Sequence, residues 1–442
     1  MKSKLSLCAG AALGVMLAAG LAAPSQAAPR KAKAAPAASQ AEIRELRAQI
    51  EALTARLNAQ EAAQAQTAAA AQQAQAQAET ATTQVQAVQA AADSQIKMIP
   101  DQVKTAVAAN TPKPKKSWAD DTVVSGRMYY DISNVTNKVD GVKKAPSGNG
   151  FDIKRFYVGI DHKFNDTFSA NITTDFQYSS AIGATELYIK KAYLQAKVSD
   201  ALVIRAGSTD LPWVPFAEDV YGYRYVENTL IDRTKFGTSA DWGVHASGKL
   251  GPIFSYAVAV VDGNGYKNPT RAKTMDVEGR LSAQLDNVIL AVGGYSGKLG
   301  KDNQGSVTYH TANRFNALAA YKTKTYRVGV EYFSTENWNN VATAVSDKAD
   351  GYSVFGSYQF NDKFGAFARY DYVKPTKDTA SAKKDGYYNV GLTYSPAKIV
   401  DFSLAYKHDK VENGTLSTSN GVIGGVRQGT YDEIGIFGQF RY

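Results

Sequence analysis

From Trp118 onward, apolar and polar residues alternate along the chain with a period of two. Between positions 326 and 333, for example, Tyr326, Val328 and Val330 alternate with Arg327 and Glu331. Successive side chains of a β-strand point to opposite faces, so this pattern predicts strands with one apolar and one polar face. Sixteen such strands are predicted, at 123–135, 151–164, 167–179, 186–199, 202–211, 240–250, 253–262, 274–285, 288–299, 311–323, 326–337, 351–360, 364–374, 386–394, 400–411 and 431–442.

The connections between these strands alternate between short and long. The short ones are 165–166, 200–201, 251–252, 286–287, 324–325, 361–363 and 395–399, and the longer ones include 136–150, 212–239, 263–273, 338–350, 375–385 and 412–430. A soluble β-sandwich has no reason to alternate in this way, whereas an outer-membrane barrel has short periplasmic turns and longer extracellular loops. The predicted fold is therefore all-β: a 16-stranded antiparallel transmembrane β-barrel preceded by an N-terminal α-helical coiled-coil segment.

The segment before the barrel has a different composition and divides into four parts. Residues 1–27 have the charged start, apolar run and small-residue end of a secretory signal peptide. Residues 28–38 form a Pro/Ala/Lys tether, 39–109 an Ala/Gln-rich periplasmic helical segment, and 110–122 a Pro/Lys linker. The barrel is expected to occupy 123–442.

The helical segment begins with apolar residues spaced alternately by three and four, namely Ile43, Leu46, Ile50, Leu53 and Leu57. This spacing is the heptad seam of a coiled coil. The alternative interpretation is a low-complexity spacer with partial helicity. So short a seam leaves the number of chains open.

Charge is nearly balanced in the barrel region. The chain has 50 Lys and Arg against 41 Asp and Glu, a net charge of +9, and residues 1–117 hold 13 and 7 of these. The remaining 37 bases and 34 acids are interspersed, which argues against a nucleic-acid partner. The one cysteine, Cys8, lies in the predicted signal peptide. No metal-ligand cluster or cofactor motif stands out, so neither a metal nor a cofactor is expected.

Most charged residues of the strands share one parity. A charge facing lipid at mid-bilayer costs about 2–4 kcal/mol, so these residues are expected to face the lumen. The bases expected to line the pore are Arg127, Arg155, Lys191, Arg205, Arg280, Arg314, Arg327, Arg369 and Lys407. Acids share the same parity, so any of these bases could instead pair with an acid on a neighbouring strand. Lys190 breaks the parity of its strand.

The longest connection, 212–239, is expected to fold inward and constrict the pore. Its charged residues are Glu218, Asp219, Arg224, Glu227, Asp232, Arg233 and Lys235. A surface loop and a subunit contact are the alternatives. Aromatic residues at strand ends, Tyr129 and Tyr130 among them, are expected in the interfacial girdles.

Three motifs between positions 150 and 248 carry a family resemblance: Gly150-Phe151-Asp152-Ile153-Lys154-Arg155, Lys191-Ala192-Tyr193-Leu194, and Ile204-Arg205-Ala206-Gly207 followed by Pro215-Phe216. Together they resemble the phosphate-selective porin family (porin O and P-like) of Gram-negative outer membranes. The resemblance implies a trimer of barrels with an inward third loop and lumenal bases that guide anions. It also implies that Phe440 and Tyr442 form the signal read by the barrel-assembly machinery. Residues 210–237 depart from the strongly basic constriction of such porins, since they hold five acids and three bases.

The sequence therefore predicts an outer-membrane porin, a channel for passive diffusion of small hydrophilic solutes with a mild preference for anions such as phosphate. The expected partners are outer-membrane lipids, further copies of the chain in a homotrimer, the barrel-assembly machinery, and small anionic or neutral solutes. One alternative is a structural anchor that links the membrane to peptidoglycan through the coiled coil. An outer-membrane enzyme is not expected, because the four histidines lie apart and no nucleophile motif accompanies them.

Overall fold

The computed structural model describes residues 40–97, 117–179 and 184–442, in two units that divide between Lys113 and Pro114. The predicted signal peptide and tether lie outside the described residues, as does the predicted linker up to position 116. Within the part described, no helix is both long enough and apolar enough to cross a bilayer.

The described residues of the first unit form a continuous helix, α1, from Gln40 to Lys97. Its many alanines and glutamines have high helix propensity, which favours a helix of this length. The apolar residues of the predicted seam are exposed along it, with Leu46 at 57% and Leu53 at 65%. The helix therefore carries an apolar stripe on its surface.

Within residues 117–179 and 184–442, sixteen strands form one closed antiparallel barrel in which each strand pairs with its neighbours in sequence and β1 pairs with β16. This confirms the predicted fold. The strands are β1 (Thr122–Val139), β2 (Val142–Lys163), β3 (Phe168–Ser179), β4 (Ala184–Ser199), β5 (Leu202–Asp210), β6 (Ala240–Leu250), β7 (Phe254–Val261), β8 (Asp276–Leu285), β9 (Val288–Gly297), β10 (Ala312–Lys322), β11 (Tyr326–Glu336), β12 (Lys348–Gln359), β13 (Phe364–Lys374), β14 (Lys384–Ala397), β15 (Val400–Thr418) and β16 (Gly421–Arg441).

Aromatic side chains on the outer face form two girdles. On β13, Phe364 belongs to the girdle near the short turns and Tyr372 to the one near the long loops, about 26 Å apart along the strand. Because barrel strands tilt by about 35–45°, the two girdles lie roughly 20 Å apart along the membrane normal, close to the height of a barrel's apolar band. The assignment of Tyr129 to a girdle was wrong. Its side chain is only 2% exposed and contacts the inward Tyr157 and Tyr225, because Tyr129 has the same parity as the charged residues of β1.

Two connections predicted as long loops, 136–150 and 412–430, are instead paired strand extensions with two-residue turns. The first turn is Asp140-Gly141, with φ of 50° and 87°, as expected of an Asp-Gly hairpin turn. These segments were predicted as loops because both of their faces carry polar residues beyond the apolar band. The Asp140 carboxylate accepts the backbone N–H of Gln428 at 2.9 Å and of Arg427 at 2.8 Å, which ties the two hairpins together. These donors hold the pKa of Asp140 below its ordinary value.

The barrel closes where the end of the chain meets β1. The Gly126 N–H donates to the Tyr442 carbonyl at 3.0 Å, and the Tyr442 N–H donates to the Gly126 carbonyl at 3.1 Å. The Tyr442 ring lies across Gly126 so closely that a Cβ at this position would collide with it. Gly126 therefore leaves open the space that the Tyr442 ring occupies.

Gly126→Val is expected to displace the Tyr442 ring and to lower the free energy of unfolding by about 1–3 kcal/mol, as overpacking does. The measurement is urea unfolding of the refolded barrel in lipid vesicles. Gly279→Val is the matched control, because the nearest atoms to its added Cβ lie 4.0 Å away. Equal unfolding midpoints for the two variants would show that the packing of the Tyr442 ring on Gly126 contributes nothing to barrel stability.

Candidate functional site

The long connection between β5 and β6, residues 211–239, lies inside the barrel. It carries two short helices, α2 (Val214–Tyr221) and α3 (Leu230–Arg233). Trp213 is fully buried; its backbone N–H donates to Glu278 at 2.9 Å and its Nε1–H donates to Glu331 at 2.6 Å. Since both carboxylates belong to the inward faces of β8 and β11, the loop packs against the inner wall and is not a surface loop.

Apolar side chains of the loop build a core against inward aromatic residues of the wall. Phe236 packs on Phe333 of β11, with ring centroids 5.0 Å apart, and Tyr221 stacks on Phe355 of β12 at 3.8 Å. Fully burying one such side chain contributes about 1.5–3 kcal/mol. Phenylalanines on the polar face of a barrel strand are a sequence signal for such packing, and they were overlooked in predicting the loop position.

Arg233 fixes α3 to three strands at once. Its guanidinium donates from Nε to Asp371 at 2.9 Å, from Nη2 to Asp385 at 2.6 Å and from Nη1 to Asp409 at 2.9 Å. All four side chains are fully buried, and the guanidinium lies 4.4 Å from the ring centre of Tyr387. One cation therefore joins the loop to β13, β14 and β15.

Glu227 makes a second attachment, to the turn between β15 and β16. Its carboxylate accepts from Ser419 Oγ at 2.7 Å and from Asn420 Nδ2 at 3.0 Å, and it pairs with Lys407 at 3.4 Å. Burial by itself would raise the pKa of Glu227, but Lys407 and Lys154 hold the pKa below its ordinary value. Arg233 and Glu227, predicted as constriction residues, thus both bind the wall, and Arg233 is fully buried there.

Four bases that were predicted to line the pore also bind the 211–239 loop. Arg280 donates to the Pro212 carbonyl at 2.8 Å, and Arg314 donates to the Phe236 carbonyl at 2.7 Å. Arg369 donates to the carbonyl of Asn228, and Lys407 pairs with Glu227 as described above. These bases therefore hold the loop while their charges also pair with acids of the wall, Arg314 with Glu278, Arg369 with Asp371 and Lys407 with Glu433.

The bases on β1, β2, β4 and β5 form a separate group. Arg127 donates to the Tyr129 hydroxyl at 3.1 Å, and Arg205 donates to Gln195 at 2.8 Å. Arg155 lies 3.6 Å from Asp175, and Lys191 pairs with Asp210 of β5. Arg127, Arg155, Lys191 and Arg205 contact their own wall and not the loop.

Two acids of α2 lie opposite this basic wall. Asp219 is exposed and interacts electrostatically with Arg127, and Glu218 interacts with Lys190. Asp219 also interacts with Arg327 of β11, which lies beside Gly222 of the loop. These two acids of the loop therefore lie within electrostatic reach of bases on β1, β4 and β11.

The remaining charged residues of the loop are Arg224, Asp232 and Lys235. Arg224 donates to Glu218 at 2.6 Å and lies 3.5 Å from Asp232, so its charge is shared within the loop. Lys235 has an exposed side chain.

Two β-bulges add Lys154 and Lys190 to the lumen, which parity alone did not predict. The pairing shifts between Ile153 and Arg155 on β2, and between Ile189 and Lys191 on β4. Lys154 consequently reaches Asp131 at 3.6 Å, and Lys190 lies 4.7 Å from the ring centre of Tyr157. Two adjacent bases in a membrane strand would otherwise place one charge in lipid, so Lys-Arg and Lys-Lys pairs are the sequence signal for such a bulge.

Above the loop, on the side of the long connections, the lumen widens into a cavity of about 290 Å³. Its basic lining residues are Lys154, Arg155, Arg224, Lys235 and Lys267, and its acids are Asp152, Glu227 and Glu433. Burial, with a contribution from Arg155, lowers the pKa of Lys267 in the β7–β8 loop to about 8. The cavity is suited to attracting small anions.

No protein family and no curated protein matches the sequence, but solved structures match the barrel. The anion-selective porin of Comamonas acidovorans has a TM-score of 0.55 at 12% identity, over 73% of this chain and 99% of that porin. The trimer form of OmpT, an outer membrane protein of Vibrio cholerae, has a TM-score of 0.52 at 15% identity, with the same coverage. The chain has the fold of these outer-membrane proteins. At these identities the matches show the barrel fold and do not confirm the phosphate-selective subfamily suggested by the sequence motifs.

Arg233→Met is expected to release α3 from the wall, because it leaves Asp371, Asp385 and Asp409 buried without their shared cation. Removing one partner of a buried ion pair costs about 3–5 kcal/mol. The measurement is limited trypsin digestion of the folded barrel, which should cut the loop at Arg224 or Lys235 much faster. Lys324→Met, which changes an exposed lysine in a short turn outside the loop, is the control. Equal digestion of parent and Arg233→Met would contradict the role assigned to Arg233.

Proposed function

We propose that this protein is an outer-membrane porin, a water-filled channel for passive diffusion of small hydrophilic solutes with a mild preference for anions. The observation that carries the proposal is the position of the 211–239 loop. Its buried ion pairs bind it to the β8–β15 side of the lumen, and it meets β1 and β2 where Tyr225 contacts Tyr129 and the Val226 carbonyl accepts from Lys154. We place the passage along the remaining inner face of β1–β5. A barrel of sixteen strands is wide enough for an aqueous channel.

The preference for anions follows from the charges along that passage. The wall contributes Arg127, Arg155, Lys190, Lys191 and Arg205, of which Arg155 and Lys191 pair with Asp175 and Asp210. The loop adds Glu218 and Asp219, of which Glu218 pairs with Arg224, so the bases keep a small excess. Rings of basic residues favour anions, but a mixed lining gives a mild selectivity. Guanidinium groups suit both phosphate and carboxylate, so phosphate is one candidate solute among small anions.

We extend the proposal to the assembly and orientation of the chain. Three barrels would associate, with the α1 helices in the periplasm forming a coiled coil through their exposed apolar stripes. The basic residues Lys113, Lys115 and Lys116 would approach peptidoglycan, making the segment a tether as well as a trimerisation element. Phe440 and Tyr442 would serve as the signal for the barrel-assembly machinery.

Neutralising two bases of the wall with Lys190→Gln and Arg205→Gln is expected to shift selectivity toward cations, because the acids of α2 then dominate the passage. Glu218→Gln with Asp219→Asn should shift it toward anions. If the energy of an anion in the pore changes by about 1 kcal/mol relative to that of a cation, the anion-to-cation permeability ratio changes roughly fivefold. The measurement is the reversal potential of planar bilayers in a salt gradient, with phosphate, sulfate and dicarboxylates as competing anions.

Lys163→Gln is the control for these variants, since this lysine lies at a short turn and pairs with Asp166 at 2.6 Å. A parent protein that gave no conductance steps would overturn the porin proposal. Cation preference in the parent would overturn the anion proposal while leaving the channel intact.

Leu46→Lys with Leu53→Lys is expected to destabilise the trimer, because each lysine would enter the seam in place of an apolar side chain worth about 2 kcal/mol on burial. The measurement is the temperature at which oligomers dissociate on semi-native gels. Ala48→Lys with Ala55→Lys places the same charges opposite the seam and should have little effect. If both double variants dissociate like the parent, α1 does not hold the chains together.

A further inference from the structure

A groove lies on the outer surface of the barrel where β13, β14 and β15 pass the aromatic girdle near the long loops. Its volume is about 270 Å³. It is lined by Tyr370 and Tyr372 of β13, by Lys384, Gly386 and Tyr388 of β14, and by His408, Lys410 and Glu412 of β15. Gly386 forms its floor, because an added Cβ there would meet no atom within 4 Å. In the strand register Gly386 lies between Tyr372 of β13 and Lys410 of β15. A missing side chain in a row of large ones thus leaves an open notch.

The tyrosines present an apolar and polarisable side to this notch. Tyr370 and Tyr388 are directly paired across β13 and β14, and they are 43% and 40% exposed. Tyr388 also contacts the ring of His408, with centroids 5.1 Å apart. Amphipathic rings of this kind occupy the boundary between the hydrocarbon and the headgroups of a membrane.

Two lysines converge on the upper rim of the notch. Lys384 and Lys410 both pair with the carboxylate of Glu412, Lys384 at 2.6 Å, and their side chains remain 48% and 37% exposed. Glu412 holds the two ammonium groups near one point, and the three residues together carry one net positive charge. A further exposed lysine, Lys374, lies on the neighbouring strand.

The lysines lie on the outer face of their strands, so they do not serve the lumen. Long basic side chains just beyond an aromatic girdle reach the headgroup region, where phosphates are available. Exposed lysines also occur at the long-connection end of β1 and β2, at Lys138, Lys143 and Lys144. On β13–β15 the lysines additionally flank an open notch between tyrosines.

We propose that this groove is a binding site for the phosphorylated sugar headgroup of an outer-leaflet lipid. Lys384 and Lys410 pair with a phosphate, the Tyr372 and Tyr388 rings pack against the sugar, and the notch over Gly386 admits its edge. The inference rests on the proposed orientation, in which the long loops face the cell exterior. A site of this kind would fix one lipid to a defined side of each barrel.

The test uses the full-length protein in detergent, titrated with lipid A, a phosphorylated disaccharide lipid, and separately with phosphatidylglycerol, which has a phosphate but no sugar ring. Native mass spectrometry counts the lipid molecules retained by each barrel. The parent is expected to retain lipid A in preference to phosphatidylglycerol.

Lys384→Gln with Lys410→Gln is expected to weaken lipid A binding about tenfold, since charge-assisted contacts are lost. Gly386→Leu, which fills the notch without changing charge, is expected to weaken it as well.

The matched control is Lys163→Gln with Lys197→Gln at the short-turn end, where each lysine likewise pairs with an aspartate. It should bind lipid A like the parent. Unchanged lipid A binding in the groove variants, an equal loss in the control, or equal retention of the two lipids would each overturn the proposal. Bilayer conductance of the same variants should match the parent, so a failure of the channel proposal is seen separately.

Discussion

A charged side chain that faces lipid at mid-bilayer costs about 2–4 kcal/mol, and this cost governs how the barrel is organised. It places the charged residues of the membrane strands on the inner face, where acids and bases must then find partners or remain solvated. It also explains the bulges at Lys154 and Lys190, because a bulge turns a second consecutive base inward. On the outer face of β13–β16, charged residues lie at the girdle, as Asp432 does beside His408, or beyond it, as Lys384 and Lys410 do.

The crowding of charge inside the barrel creates the attachment points for the 211–239 loop. Asp371, Asp385 and Asp409 on adjacent strands would repel one another in a low-dielectric interior without a shared cation. Arg233 supplies that cation, and its fork of N–H donors can reach all three carboxylates. The loop is thus held in place by the same residues that could not be placed toward lipid, and its aromatic core adds packing energy to the ion pairs.

Placing the loop on one side divides the inner wall into two parts with different roles. Bases such as Arg280 and Arg369 contact the loop, whereas Arg127 and Arg205 stay along the passage, opposite Glu218 and Asp219. Bases on one side of the passage and acids on the other orient a dipolar solute that moves between them, and they bind neither anions nor cations strongly. Mild selectivity is therefore the expected behaviour of such a lining.

The period-two pattern determined the strand number and the inward parity of residues such as Arg280 and Arg369, because side-chain direction in a strand is a local property. Together with the alternation of short and long connections it predicted the closed antiparallel fold. It misplaced the ends of β1, β2, β15 and β16, since strands that leave the membrane no longer need an apolar face. The inward fold of the long loop was one of three interpretations of its sequence, and only the tertiary structure decided between them and showed which bases the loop engages. Those contacts join residues far apart in sequence, such as Arg233 and Asp409, and no local pattern records which distant partner a charge will meet.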